Sequence, residues 1–169
     1  PALLDESRRA SGYSDQYFIV ISPAPGANLA ALERHLGQHT QLMAVVKANA
    51  YGHGLTGVAG LALEHGVDWL GVNSVEEGAA LREAGFEGPV LVLGYVPFDA
   101  LAEAVSLDLR LTVYNRETVE RLARAARRQG RKAVVHVKVE TGTRRQGVEV
   151  KDVWPFVRSV RRHPELVLE

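Results

Sequence analysis

Two stretches of the chain carry side chains that could do chemistry: a lysine at 47 behind an apolar run, and a lysine and arginine block between 138 and 145. Lys47 follows Leu42-Met43-Ala44-Val45-Val46 and opens the loop Ala48-Asn49-Ala50-Tyr51-Gly52-His53-Gly54. An apolar run of this length reads as a strand buried on both faces, as in an all-parallel sheet. If the sheet is a barrel, the C-terminal ends of its strands are where chemistry is done. An amine held there against apolar walls is disfavoured as a cation, so its pKa falls and it can act as a nucleophile at neutral pH. That reading makes Lys47 a Schiff-base lysine; on type and position alone the alternative is a solvated strand terminus.

The second stretch is His136-Val137-Lys138-Val139-Glu140-Thr141-Gly142-Thr143-Arg144-Arg145-Gln146-Gly147. Strand alternation points Lys138 the same way as His136 and Glu140, with Val137 and Val139 opposite. The loop that follows holds two adjacent arginines, and a fixed guanidinium at that end of a barrel suits an anionic oxygen. The competing reading is that Arg144 and Arg145 are solvated loop charges. Other candidates are weaker. His53, between glycines, reads as a loop-packing residue. Arg116, Arg121, Arg124, Arg127, Arg128 and Arg131 interleave with Glu117 and Glu120, which describes a solvated helix face and not a nucleic-acid stripe. Trp69 and Trp154 are expected in the core or between helices, and no histidine–carboxylate spacing recommends a metal site.

The elements that must position these residues follow a rhythm. Tyr17–Ile21 reads as a strand, Asn28–Leu36 as a helix stopped by Gly37, and Leu42–Val46 as the next strand. Helices are predicted over 55–65, from Ser74 to Glu83, over 99–106, from an Asn115 cap to Gln129, and over 151–161. Strands are predicted over 68–72, 89–94, 109–114, 133–139 and from Leu166 onward. Ser74 with Glu77 three residues later is a capping-box signature. Strands alternating with helices at this spacing argue for parallel βαβ units, in a doubly wound sheet or a (β/α)8 barrel. No Gly-x-Gly-x-x-Gly follows a strand, which counts against the dinucleotide version.

Composition sets the outer limits. A chain of 169 residues with 46% apolar content can bury one sizeable core, and 20 basic residues balance 20 acidic ones. That balance gives no reason to expect a nucleic-acid or anionic-membrane partner. With no cysteine, disulfides and thiolate metal sites are excluded. No apolar run reaches the roughly 20 residues that span a bilayer, and Pro1–Arg9 lacks the apolar centre of a secretion signal, so the expectation is a soluble, cytoplasmic protein.

The string Ala44-Val45-Val46-Lys47-Ala48-Asn49-Ala50-Tyr51-Gly52-His53-Gly54 resembles the pyridoxal-phosphate attachment motif of the alanine racemase family. The stretches Trp69–Gly85 and Pro89–Gly94 look like the same family, and the likeness runs from about Asn28 to the end. The resemblance selects the barrel, here an incomplete one spanning 28–169, with 1–27 as a lead-in and first strand and the C-terminal β-domain absent. It implies that Lys47 carries pyridoxal 5'-phosphate and serves as a catalytic base, and that Tyr51 reaches the phosphate. Val45 and Leu93 join the cofactor-binding set. Arg145 would donate to the phenolic oxygen of the ring, and Lys138 matches a lysine that is often carbamylated and holds that arginine. Glu140 stands where aspartate is usual and Thr143-Arg144 replaces a common Met-Gly, which bears on the choice of substrate.

The implied activity is interconversion of L- and D-alanine, supplying D-alanine for peptidoglycan, by a homodimer. A racemase for a larger or basic amino acid and a non-catalytic cofactor-binding relative are the alternatives. A stacking histidine, a phosphate loop, an arginine facing the pyridine nitrogen and a catalytic tyrosine from the partner subunit have no counterpart in these 169 residues. The chain by itself is therefore expected to have little racemase activity.

Overall fold

The structure is a computed structural model that describes residues 16–20, 29 and 40–169. Its framework is one sheet of seven strands: β1 (Gln16–Val20), β2 (Gln41–Val45), β3 (Trp69–Val72), β4 (Val90–Val92), β5 (Arg110–Val113), β6 (Ala133–Val137) and β7 (Leu166–Leu168). Every neighbouring pair is parallel, and the spatial order is the sequence order. A doubly wound sheet reverses its strand order at a switch point; this one never does, so the arrangement is an arc of a barrel. Among the described residues β1 and β7 form its two edges and are not paired with each other. The expectation of an incomplete parallel α/β barrel is met. β1, which the sequence reading grouped with the lead-in, pairs with β2 from Gln16–Gln41 to Val20–Val45 and belongs to the same sheet.

Helices α1 (Leu55–Glu64), α2 (Val75–Glu83), α3 (Leu101–Ser106), α4 (Arg116–Arg128) and α5 (Val153–Val160) fall between successive strands, α5 entered through a 3-10 turn at Val150–Asp152. The predicted helix over 28–36 lies outside the described residues except Leu29, which is helical and buried. Strands β2, β3 and β4 are buried on both sides because alternate residues serve two cores. Leu42, Ala44, Val46, Leu70, Val72, Val90, Val92, Leu111, Val113 and Val135 pack with the helices. Met43, Trp69 and Leu91, with Leu93 against them, form a separate cluster inside the arc. That two-sided burial explains apolar runs without the hydrophobic–polar alternation of a half-exposed strand. Polar groups share the inner face: the Arg110 guanidinium lies 5.5 Å from the Trp69 ring centroid, and the Glu169 carboxylate is 3.1 Å from His136 Nε2.

Local signals hold at the helix ends. Asn115 Oδ1 accepts from Thr118 N–H at 2.8 Å and starts α4; Ser74 Oγ accepts from Glu77 N–H and starts α2. At the far end of α2 a single guanidinium does what a longer loop would otherwise require. Arg82 donates to the carbonyls of Leu107, Phe86, Gly88 and Asp108, tying the turns that precede β4 and β5. One expectation fails. Trp154 is 72% exposed, because α5 buries only Phe156 and Val160 and turns Trp154 outward. His53 is exposed in the loop before α1.

At the C-terminal end of the arc, Gly94 sits against Asn73: a Cβ at 94 would lie 2.2 Å from the Asn73 backbone oxygen and 2.9 Å from its Oδ1. The loops after β3 and β4 are in direct contact there, and neither can yield without moving a strand end. Gly94→Ala should lower stability by about 1–3 kcal/mol, the usual cost of forcing atoms into a filled site, read as a lower urea midpoint with an unchanged slope. An unchanged midpoint would show that the two loops are not packed as described.

Candidate active site

Lys47 follows β2 directly, and the backbone then does something the sequence reading treated only as loop. Ala48, Asn49, Ala50 and Tyr51 all have positive φ, at 53°, 54°, 51° and 55°, so Lys47–Tyr51 is a short helical turn whose last four residues wind left-handed. Gly52 continues at φ 93°. For L-residues this hand costs roughly 1–2 kcal/mol each because Cβ crowds the following carbonyl, with Asn the most tolerant. Ala50 N–H donates to Val46 O at 2.8 Å, and Gly52 and Gly54 N–H both donate to Asn49 O at 3.0 Å. Asn49 Oδ1 takes the N–H of Leu55 at 2.8 Å, joining the turn to the start of α1. Backbone strain of this kind persists where the surroundings over-determine it, and it concentrates at functional sites.

Beside the turn is a cleft of about 700 Å³ at the C-terminal ends of the strands. Its lining brings together Lys47 from β2, Asn73 from β3, Leu91, Leu93, Gly94 and Tyr95 from β4 and its loop, and Thr112 from β5. His136, Val137 and Lys138 from β6 and Arg145 and Gln146 from the next loop complete it. Four sequence-predicted site residues, Lys47, Leu93, Lys138 and Arg145, therefore share one cavity although they are spread over almost 100 positions. Tyr51 and Val45 are not in the lining. Tyr51 is 47% exposed on the left-handed turn, and Val45 is buried in β2, next to Gly71 across the sheet. Arg144 is outside the lining too, at φ 50° in the loop. Thr112 and Asn73 were not anticipated. Thr112 was legible in principle, since β5 reads Arg-Leu-Thr-Val and its polar residues alternate onto the inner face; its hydroxyl donates to Val92 O at 2.8 Å.

Three cations, Lys47, Lys138 and Arg145, line the cleft, and among the described residues the Glu169 carboxylate reaches its edge at His136, 3.1 Å from Nε2. Burial pushes the Lys138 pKa down, and the neighbouring positive charges of Arg145 and then Lys47 push it further, against a smaller opposing pull from Glu140. The amine that desolvation and like charge hold back from protonation is thus Lys138. Glu140 is outside the cleft lining; its carboxylate accepts from the N–H groups of Gly142 and Arg145 and from the Thr143 hydroxyl, fastening the loop that carries Arg145. Those donors, with the backbone of Arg144 first, hold its carboxyl below the usual range. A second depression of about 600 Å³, lined by Phe98, Arg121, Arg124 and Arg128, lies in the helix layer and not at the strand ends. Among the described residues there is no group of histidines or carboxylates able to hold a metal ion.

A parallel barrel arc with a lysine and an arginine converging at its carboxyl end defines a class of α/β-barrel protein with a cationic cleft at its strand ends. Comparison with known proteins narrows the class. The family model described as "Alanine racemase, N-terminal domain" matches residues 24–169. An alanine racemase of Symbiobacterium thermophilum is 47% identical over 144 residues, 85% of this chain and 38% of that protein. The solved structure of alanine racemase from Clostridium difficile 630 superposes with a TM-score of 0.80 at 34% identity, over 84% of this chain and 38% of that one. A histidine racemase from Leuconostoc mesenteroides subsp. sake superposes at 0.77 with 27% identity, over 84% of this chain and 38% of that one. The chain belongs to the alanine racemase family. It spans under two-fifths of the length of these relatives.

The Glu140 anchor gives a pH prediction. A carboxyl whose folded-state pKa is depressed contributes stability that is complete above the unfolded value and is lost as pH falls through the folded one. The Arg145 loop should therefore be tight at neutral pH and loosen only below the ordinary glutamate range. The amide proton shifts of Gly142 and Arg145 should titrate together at a midpoint below that of a free glutamate. Glu140→Gln should abolish the transition and speed tryptic cleavage after Arg144 and Arg145. A midpoint at or above the free value would remove the anchor.

Proposed function

We propose that this chain is the pyridoxal 5'-phosphate-binding half of an amino-acid racemase acting on alanine, and that Lys47 is both its point of attachment and one of its two bases. The observation that carries the reading is the convergence of Lys47, Lys138 and Arg145 on one cleft that also presents Leu91 and Leu93. Such a lining fits a flat ring bearing anionic oxygens and an aldehyde: Leu91 and Leu93 supply apolar surface, the arginine a fixed fork of donors, the lysine a nucleophilic amine. Pyridoxal 5'-phosphate, when bound, supplies the electron sink that makes the α-proton of an amino acid removable.

The residues then divide the work. Lys47 Nζ would hold the cofactor through its aldehyde group and would take or return the substrate's α-proton on its own face. Arg145 would donate to the phenolic oxygen and keep its charge throughout, since a guanidinium does not give up its proton. Lys138 would hold Arg145. As an ammonium it repels that guanidinium; burial and the neighbouring cations lower its pKa, which eases release of the proton, and the free amine can add to carbon dioxide with loss of one proton and so become an anionic carbamate. Tyr51, on the strained turn, is assigned to the phosphate and Val45 to the wall behind Lys47. Racemisation needs a second base on the opposite face of the α-carbon; we assign it to the longer protein and its partner subunit in a homodimer. A cytoplasmic role in making D-alanine for peptidoglycan follows from the same reading.

A racemase for a bulkier or basic amino acid is the second reading, supported by the likeness to the histidine racemase. The placement of Arg144 outside the cleft lining weighs against it, because the substitution that suggested an altered pocket does not reach one.

Absorbance titration with pyridoxal 5'-phosphate tests the attachment. The native chain should develop a visible band that survives gel filtration, and Lys47→Ala should lack it. Arg145→Ala should keep the band with affinity weakened roughly 10- to 100-fold, the value of a charge-assisted hydrogen bond. In the full-length protein, Lys47→Ala should reduce interconversion of the alanine enantiomers by roughly 10²–10⁴ or more. Equal spectra for the native chain and Lys47→Ala would overturn the assignment.

A further inference from the structure

We infer that Glu77 is the positioning residue for Lys47: its carboxylate clamps the left-handed turn to the wall of the cleft. The sequence marks Glu77 as the second half of a capping box with Ser74, a motif in which the carboxylate reaches back to the N–H of the capping residue itself. The structure keeps only half of that arrangement. Ser74 Oγ accepts from Glu77 N–H, but the Glu77 carboxylate passes over Ser74. Its Oε2 accepts from Asn73 N–H at 2.8 Å, and its Oε1 accepts from Asn49 N–H at 3.2 Å, 28 residues away.

The two partners are the two pieces that must stay in register. Asn49 is two residues beyond Lys47, inside the run of positive φ from Ala48 to Tyr51. The other hydrogen bonds of that turn, to Val46 O, Asn49 O, Ala50 O and Asn49 Oδ1, run within residues 46–55, the last from Leu55 at the start of α1. Among the described residues, Glu77 supplies the one hydrogen bond to the turn from beyond that contiguous stretch. Asn73 lines the cleft and is pressed against Gly94, which lines it too. One carboxylate thus joins the loops after β2 and β3, and through Asn73 the loop after β4. It sits in the first turn of α2, where the helix field favours an anion and charge-assisted bonds are strong. Glu77 is not in the cleft lining, so it acts through the turn and not on a bound molecule.

The inference rests on the reading of Lys47 as the attachment point, and the test separates the two. In the full chain, amide hydrogen exchange over residues 48–54 is measured without cofactor, and affinity for pyridoxal 5'-phosphate by absorbance titration. Glu77→Gln and Glu77→Asp, which lose one acceptor and reach respectively, should each speed exchange in that segment roughly tenfold or more and weaken binding by a similar factor. Ser74→Ala, which removes the cap and leaves the clamp, should change neither. Adding Ala48→Gly to Glu77→Gln should recover several-fold of the lost affinity, because glycine enters the left-handed region without a Cβ penalty. Native exchange rates in both Glu77 variants would overturn the inference, as would equal losses in Ser74→Ala or no rescue by Ala48→Gly. Native binding by Lys47→Ala would instead defeat the attachment reading and leave the exchange result standing.

Discussion

Everything at the carboxyl end of this arc depends on four consecutive L-residues held in the wrong hand. A right-handed turn after β2 would send residues 48–51 on a different course from the strand end. The left-handed turn reverses the chain within a few residues and returns it, through Asn49 Oδ1 and the two glycines, to the first residue of α1. Ala48, Ala50 and Tyr51 together carry roughly 3–6 kcal/mol of unfavourable backbone energy, comparable to the net stability of many small domains. The sheet on one side, the buried Ala50 and the Glu77 carboxylate on the other offset it. A site built this way is stiff, and stiffness is what a reacting amine needs to be held in the productive geometry.

The electrostatics of the cleft follow from the same geometry. Parallel strands in sequential order bring the ends of β2 and β6 to one mouth, so Lys47, Lys138 and Arg145 line a single cleft. Left alone, such a group is unfavourable: burial first, and then the charges of Arg145 and Lys47, lower the Lys138 pKa. The arrangement makes sense as half of an interaction whose other half is an anion. Glu140, the nearest acid in sequence, is spent on its own loop, where it gathers the N–H groups of Gly142 and Arg145.

Much of this was legible from residue order, and the exceptions are instructive. The strand and helix boundaries came out within a residue or two for most elements, since two-sided burial writes apolar runs, and Ser74 and Asn115 announce helix starts. Lys47, Leu93, Lys138 and Arg145 were selected by their place at strand ends and by resemblance, and they share a cavity. Trp154 was expected inside, because a tryptophan in a helix usually packs; here α5 buries Phe156 and Val160 instead. Tyr51 was placed by resemblance four residues after Lys47, and the hand of the turn leaves it half-exposed beside the cleft. Glu77 was read as a local cap because its neighbour Ser74 is local, and its real partner, Asn49, is separated by the whole of α1 and β3.

The sequence by itself determined which segments are strands, which are helices and which residue types stand at their ends, because burial period, caps and glycine stops are properties of near neighbours along the chain. The tertiary structure alone decided the sequential order of the strands, the left-handed path after Lys47, the reach of Glu77 across to Asn49, and the membership of the cleft. Those depend on contacts between residues tens of positions apart, and on a conformation that is unfavourable in an isolated segment and becomes tenable only when the rest of the fold supports it.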